Sequence, residues 1–220
     1  MIMGRMSTST TFDGALRLAD WGLIRAQGPD AASFLHGQLT QDMQSLRAGR
    51  ARLAALCSPK GRLLASFIVW RAEAQASATA DTPDTPDTFY LACSADLLAP
   101  TLKRLSMFVL RAKCKLSDAS ADLALFGLAG ATAAAWLGDS APAQAWAAAP
   151  VGSASGQAIR LPDVENTPRW LLAQPVHAAA PALPALAAPD WAWLEVQSGV
   201  VRITAATVEK FVPQMVNLEL

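Results

Sequence analysis

The sequence predicts an α+β fold, with mixed or antiparallel sheets whose faces are covered by helices. Three observations carry this expectation. Hydrophobic residues make up 52% of the 220 and charged residues 16%, enough apolar surface for a sizeable buried core. Short runs rich in Val, Ile, Phe and Leu recur between turn signals, as strands do. Leu97, Leu98, Leu102, Leu105 and Phe108 follow helical spacing.

The elements follow in order. Residues 1–11 read as a loose tail and residues 22–27 as a short strand. Gly28-Pro29-Asp30 opens a helix that buries Phe34 and Leu35 and ends near Gly37. Proline loses nothing at the first helical position, and Asp30 complements the helix dipole. Residues 52–57 form a strand. Ser58-Pro59-Lys60-Gly61 has the proline and glycine of a type I turn, and residues 63–71 return as the second strand of a hairpin. Residues 72–87, with the TPDTPD repeat, read as a flexible loop. A third strand over 89–93 leads to Ser94 as the cap of a helix over 95–108, and residues 113–117 form another strand.

A second unit begins near Asp118, with a strand (123–128), a helix (131–137), a loop (139–156), strands (157–161 and 169–174) and a helix at about 180–187. Its apolar run over 123–138 is shorter than the ~20 residues of a membrane span. Gly127, Gly130 and Thr132 break the run into a buried strand, a turn and a short helix. The chain closes with a helix after Asp190 that stops at Gly199, a short strand over 200–204 (VVRIT), and a turn or short helix, ATVEKF. The expected organisation is one unit of residues 12–118 with 191–220, which presents a cleft, and a second, structural unit of 119–190.

Composition narrows the function classes. A formal net charge of zero argues against non-specific binding to nucleic acid or a membrane surface. Cys57, Cys93 and Cys114 have no CxxC spacing and there are two histidines, so neither a disulfide framework nor a metal site is expected. No apolar signal segment opens the chain, and a reducing cytoplasm is the expected compartment.

The chemistry-bearing side chains concentrate in residues 34–64, where Gln38, Thr40, Asp42, Cys57, Lys60 and Arg62 fall at the ends of elements. Each has an ordinary reading and a functional one. Asp42 caps local backbone in a polar turn, or faces a cleft and binds a ligand N–H; Gln38 has the same two readings. Lys60 and Arg62 are solvated turn charges or anion contacts. Arg47, Arg50 and Arg52, and separately Lys103, Arg104, Arg111, Lys113 and Lys115, form two basic clusters. Cys57 reads as a small buried hydrophobe, and His36 as a packing or capping residue.

Three motifs come in a spaced series: LHGQLTQD (35–42), ALCSPKGR (55–62) and FVPQMVNL (211–218). Together they resemble the folate-binding YgfZ family, related to the glycine-cleavage aminomethyltransferase (T-protein), over nearly the whole chain. The resemblance implies an aminomethyltransferase-like α+β fold. It also implies a tetrahydrofolate-binding accessory role in iron–sulfur cluster assembly or repair, acting through it on tRNA modification without catalysis. Folate, iron–sulfur proteins or their assembly machinery, and an indirect link to tRNA are the implied ligand and partners; no membrane is involved. Trp21 of the LADW segment and Trp191 match folate-stacking tryptophans, whose flat faces suit a pterin. Gln197 stands where the aminomethyltransferase branch carries a glutamate, so a charge-assisted bond to the pterin is lost. Val201 falls near a position where the family's members often carry proline. The family's Lys-Gly-Cys-Tyr-x-Gly-Gln-Glu motif and C-terminal β-barrel are expected beyond FVPQMVNL, so the resemblance implies the N-terminal part of a longer member, without the signature cysteine.

The implied folate set is thus Trp21, Trp191, Gln38, Asp42 and Gln197, with Lys60 and Arg62 for anions and no catalytic or metal residue. Two alternatives stay open. One is a folate-dependent aminomethyltransferase using Asp42 or Glu195. The other is an RNA-contacting module built on the two basic clusters.

Overall fold

A computed structural model describes residues 12–72, 87–152 and 156–218. The expected tail and most of the TPDTPD loop lie outside the described residues. Among the described residues, ten strands form two five-stranded sheets, antiparallel throughout. The strands of the first sheet are β2 (Trp21–Gln27), β3 (Ala51–Cys57), β4 (Leu63–Arg71), β5 (Thr88–Ser94) and β6 (Lys115–Asp118), in the order β3-β4-β5-β2-β6. The second sheet holds β1 (Gly14–Arg17), β7 (Leu123–Ala129), β8 (Ala148–Val151), β9 (Gly156–Val164) and β10 (Thr167–Pro175), in the order β1-β7-β10-β9-β8.

The period-2 alternation of each strand decides which face goes where. On β4, Phe67 and Val69 pack under α1 (Ala31–Gln38) and α2 (Ala95–Ser106), while Ile68 and Trp70 point toward the other sheet. On β7, Ala124, Phe126 and Leu128 face α3 (Gly130–Leu137), while Leu125 faces inward. The main core therefore lies between the sheets, and a helical layer covers each outer face. Trp191 and Leu194 of α4 (Ala188–Gln197) also enter this inter-sheet core.

The hairpin forms as its turn chemistry requires. The Gly61 N–H donates to the Ser58 carbonyl at 2.9 Å, and Gly61 sits at φ +72°, a conformation that costs glycine little. Several elements differ from the sequence reading. Pro29 and Asp30 precede α1 rather than open it; the Asp30 carboxylate accepts the Lys113 N–H at 2.7 Å, tying the helix start to the approach to β6. α4 starts at Ala188, with Pro189 in its first turn, and Asp190 is already helical. The 139–156 loop contains β8, and no helix forms over 180–187, where prolines at 181 and 184 interrupt the backbone bonding. β1, a strand the sequence reading passed over, pairs with β7.

The expected strand over 200–204 is absent because that segment crosses a sheet face instead of extending an edge. Its backbone is held by one buried side chain. Ser66 Oγ on β4 donates to the Val201 carbonyl at 3.1 Å and accepts the Ile203 N–H at 2.8 Å. A short 3₁₀ turn over Pro213–Val216 follows, closed by Asn217 in the left-handed conformation at φ +56°.

Candidate functional site

Two adjoining cavities border the inter-sheet core. The larger is an open groove of about 480 Å³. One wall carries Arg47, Arg50, Arg52 and Leu53, from β3 and the turn before it; the other carries Trp146 and Pro162. Ser198, Gly199 and Val200 line the groove and, through Ser198 and Val200, also a smaller inner chamber. That chamber holds only about 10 Å³ of free space, room for a water at most.

The inner chamber is lined by Trp21, Arg169, Trp191, Glu195 and Arg202 among apolar neighbours. Trp191 is 3% exposed and lies flat on β7: a Cβ on Gly127 would meet its ring at 2.7 Å, so only glycine permits this seat. The Arg169 guanidinium stands 5.4 Å from the centroid of the Trp191 ring, and that of Arg202 stands 5.2 Å from the Trp21 ring. Arg202 bonds Asp20 at 2.6 Å and approaches Glu195 at 3.5 Å.

The chamber's polar atoms are under-satisfied. Arg169, 1% exposed, donates from Nε to the Pro162 carbonyl at 3.2 Å, but its Nη1 has no hydrogen-bond partner. The indole N–H of Trp21 is likewise buried without a partner, whereas that of Trp191, in poor hydrogen-bond geometry, faces the Glu195 carboxyl. Burial lowers the Arg169 pKa to about 10, against the opposing pull of Glu195 and Asp163. Burial also raises the Glu195 carboxyl above its ordinary value; Asp20 adds to this, while Arg202, Arg169 and the Trp191 N–H oppose it. Two buried donors without acceptors, on Trp21 and Arg169, beside a desolvated carboxyl, form an arrangement that a ligand bearing hydrogen-bond acceptors would complete.

The structure gathers Trp21, Trp191 and the alternative carboxylate Glu195 around this chamber, sets Arg47, Arg50 and Arg52 along the groove, and places Gln38, Asp42, Gln197, Lys60 and Arg62 elsewhere. Asp42 is exposed and closes a local turn, its carboxylate accepting the Gln44 and Ser45 N–H groups at 3.0 and 3.3 Å with His36 Nδ1 at 3.2 Å. The Ser45 side chain first, then those backbone donors and His36, hold its pKa below the ordinary value. Gln38 ends α1, and Gln197 is exposed on α4; neither lines either cavity. Arg62 donates to the Lys210 carbonyl at 3.1 Å, and Lys60 is exposed in the hairpin turn. All three cysteines are free, and burial raises the pKa of each, that of Cys93 to about 12, so none is poised as a thiolate. Among the described residues no group of His, Cys, Asp and Glu could hold a metal, and no helix is long and apolar enough to cross a membrane.

Arg169 escaped the sequence reading, although a signal for it existed. It alternates with Leu171 and Ala173 on β10, and both of those face the inter-sheet core. Strand alternation alone sends its guanidinium inward.

The tRNA-modifying protein YgfZ of Edwardsiella ictaluri is 32% identical over 213 residues, covering 93% of this chain and 60% of that protein. The chain is thus similar to this YgfZ protein over nearly its whole length. A second YgfZ, from Klebsiella pneumoniae, is 28% identical over 211 residues with the same coverage. The chain thus spans about three-fifths of the length of these curated YgfZ relatives. No family model matches it. The crystal structure of the glycine cleavage system aminomethyltransferase T from Bartonella henselae superposes with a TM-score of 0.60 at 20% identity, over 76% of this chain and 43% of that one. This chain therefore adopts an aminomethyltransferase-like α+β fold, as expected, and no barrel closes among the described residues.

Proposed function

We propose that this chain binds a reduced folate in the cleft made by the groove and the inner chamber. In this reading it serves as an accessory factor in iron–sulfur cluster assembly or repair and, through it, in tRNA modification. The carrying observation is the pair of buried, partnerless donors at Trp21 and Arg169, beside the Trp191 N–H that faces Glu195. A pterin ring offers the ring nitrogens and carbonyl that such donors need, and the groove's volume falls in the range of small-molecule sites. The chamber is too small for a ring as it stands, so the ring system occupies the groove. It gains the inner donors when the 198–202 segment, which contributes to both walls, shifts. Arg169, Trp21, Trp191 and Glu195 are the residues assigned to the ring. The folate, when bound, would supply one-carbon chemistry.

The non-enzymatic reading is favoured by the shortage of carboxylates. Glu195 alone lines either of these two cavities, and it stands between Arg169 and Arg202. Titration with tetrahydrofolate should produce a saturable change in tryptophan emission, reduced in Trp21→Phe. No change at saturating excess would sink the folate reading. Turnover of an aminomethyl donor by the bound protein would replace the accessory role with that of a transferase.

A further inference from the structure

We propose that the arginine wall of the groove binds the poly-γ-glutamate tail of the folate, so that the protein discriminates folates by the number of their glutamates. This rests on the folate reading above. Arg47, Arg50 and Arg52 line one concave surface, and no acidic residue lines it with them. Among the described residues, none of the three forms an ion pair. Arg52 Nη1 donates to the Asp42 carbonyl, which leaves its charge uncompensated.

Three like charges in one hollow repel each other and focus a positive potential there. The chain carries no net charge, so this field is a local device and not a by-product of a basic protein. A ligand with a row of carboxylates would relieve the repulsion, and the guanidinium fork matches a carboxylate with two parallel hydrogen bonds. Each added glutamate brings one α-carboxylate.

Ser198 and Val200 wall both the groove and the chamber, so one molecule with a flat head and an anionic tail can use both. Nucleic acid is the other common polyanion. A groove of about 480 Å³ that continues into a closed chamber suits a small ligand's head and tail better than a through-running strand.

The test compares the affinity of tetrahydrofolate mono- and pentaglutamate for the full 220-residue chain by calorimetry. The pentaglutamate should bind about tenfold tighter at low salt, and the ratio should collapse toward one at ~0.5 M salt. Arg47→Gln/Arg50→Gln, checked for folding by circular dichroism, should lose most of that ratio, and Arg47→Lys/Arg50→Lys should keep part of it. The ratio is the readout because the arginines also border the ring's place. Equal affinities for both folates would overturn the inference and leave the folate reading standing. A ratio that persists in the Gln variant would overturn the assignment to these arginines. Binding of neither folate would overturn both readings. Loss of tRNA binding in the Gln variant, with no glutamate dependence in the wild type, would make the groove a nucleic-acid surface instead.

Discussion

Glu195 shows how a single side chain reports on its surroundings. Its carboxyl, 18% exposed, is raised above the ordinary value of 4.5 chiefly by burial, so ionising it costs more in the folded state than in the unfolded one. The folded protein keeps a proton that the unfolded chain has already released. Stability from this group is therefore greatest at low pH and falls as pH rises from about 4.5 through the folded value. Glu195→Gln should flatten that fall, which urea midpoints measured from pH 4.5 to 7.5 would show. An unchanged slope would mean that Arg202 and Arg169 fully offset the burial. Bound folate donating to this carboxylate should pull its titration back down. Little of this was legible beforehand, since Glu195 was named only as a candidate transferase carboxylate. Of its arginine neighbours, Arg202 follows closely in the chain, but Arg169 comes from β10, in another element.

At the scale of elements, the hairpin and the paired strands were readable because their signals are local: a Pro-Gly turn, period-2 apolar runs, and a spaced apolar face on α2. The misreadings share a different cause. VVRIT has strand composition, but its backbone partners are a serine on another strand. Composition cannot report that, because the partner is tertiary. Ser66→Ala would leave the Ile203 N–H and the Val201 carbonyl without partners, costing about 1–3 kcal/mol. The expected signature is a lower urea midpoint together with faster amide exchange confined to residues near 200–210. A uniform rise in exchange across both sheets would point instead to global destabilisation. Because the same segment walls both cavities, this variant should also bind folate less tightly.

For the molecule as a whole, the inter-sheet core joins Leu23, Ile68 and Trp70 of one sheet to Leu125, Ile159 and Leu171 of the other. Arg25 of β2 reaches Asp122, before β7, at 3.0 Å, and the Leu23 N–H bonds Ser120 Oγ at 3.0 Å. Such shared burial makes the sheets interdependent. Urea unfolding should run as one transition, with tryptophan emission and far-UV circular dichroism coinciding. Two separated midpoints would show that the sheets hold independently. The α+β class could be read from pattern because each strand and helix announces its own type. The cleft could not: its groove walls come from residues 47–53, 146, 162 and 198–200, and only folding brings them together.

The pairing of β1 with β7 carries a consequence for how the protein is made. β1 leaves the ribosome well before β7, its partner strand among the described residues, which lies more than a hundred residues further along. During synthesis the neighbouring β2 can join β5 long before β1 has anything to bond. The second sheet must therefore be closed retroactively, by a segment that has waited with its backbone groups in water while the first sheet formed beside it. Until β1 arrives, β7 presents a bare edge that another chain's strand can take. The pairing of β1 thus comes after the first sheet can form, and crowding between nascent copies bears most heavily on that interval.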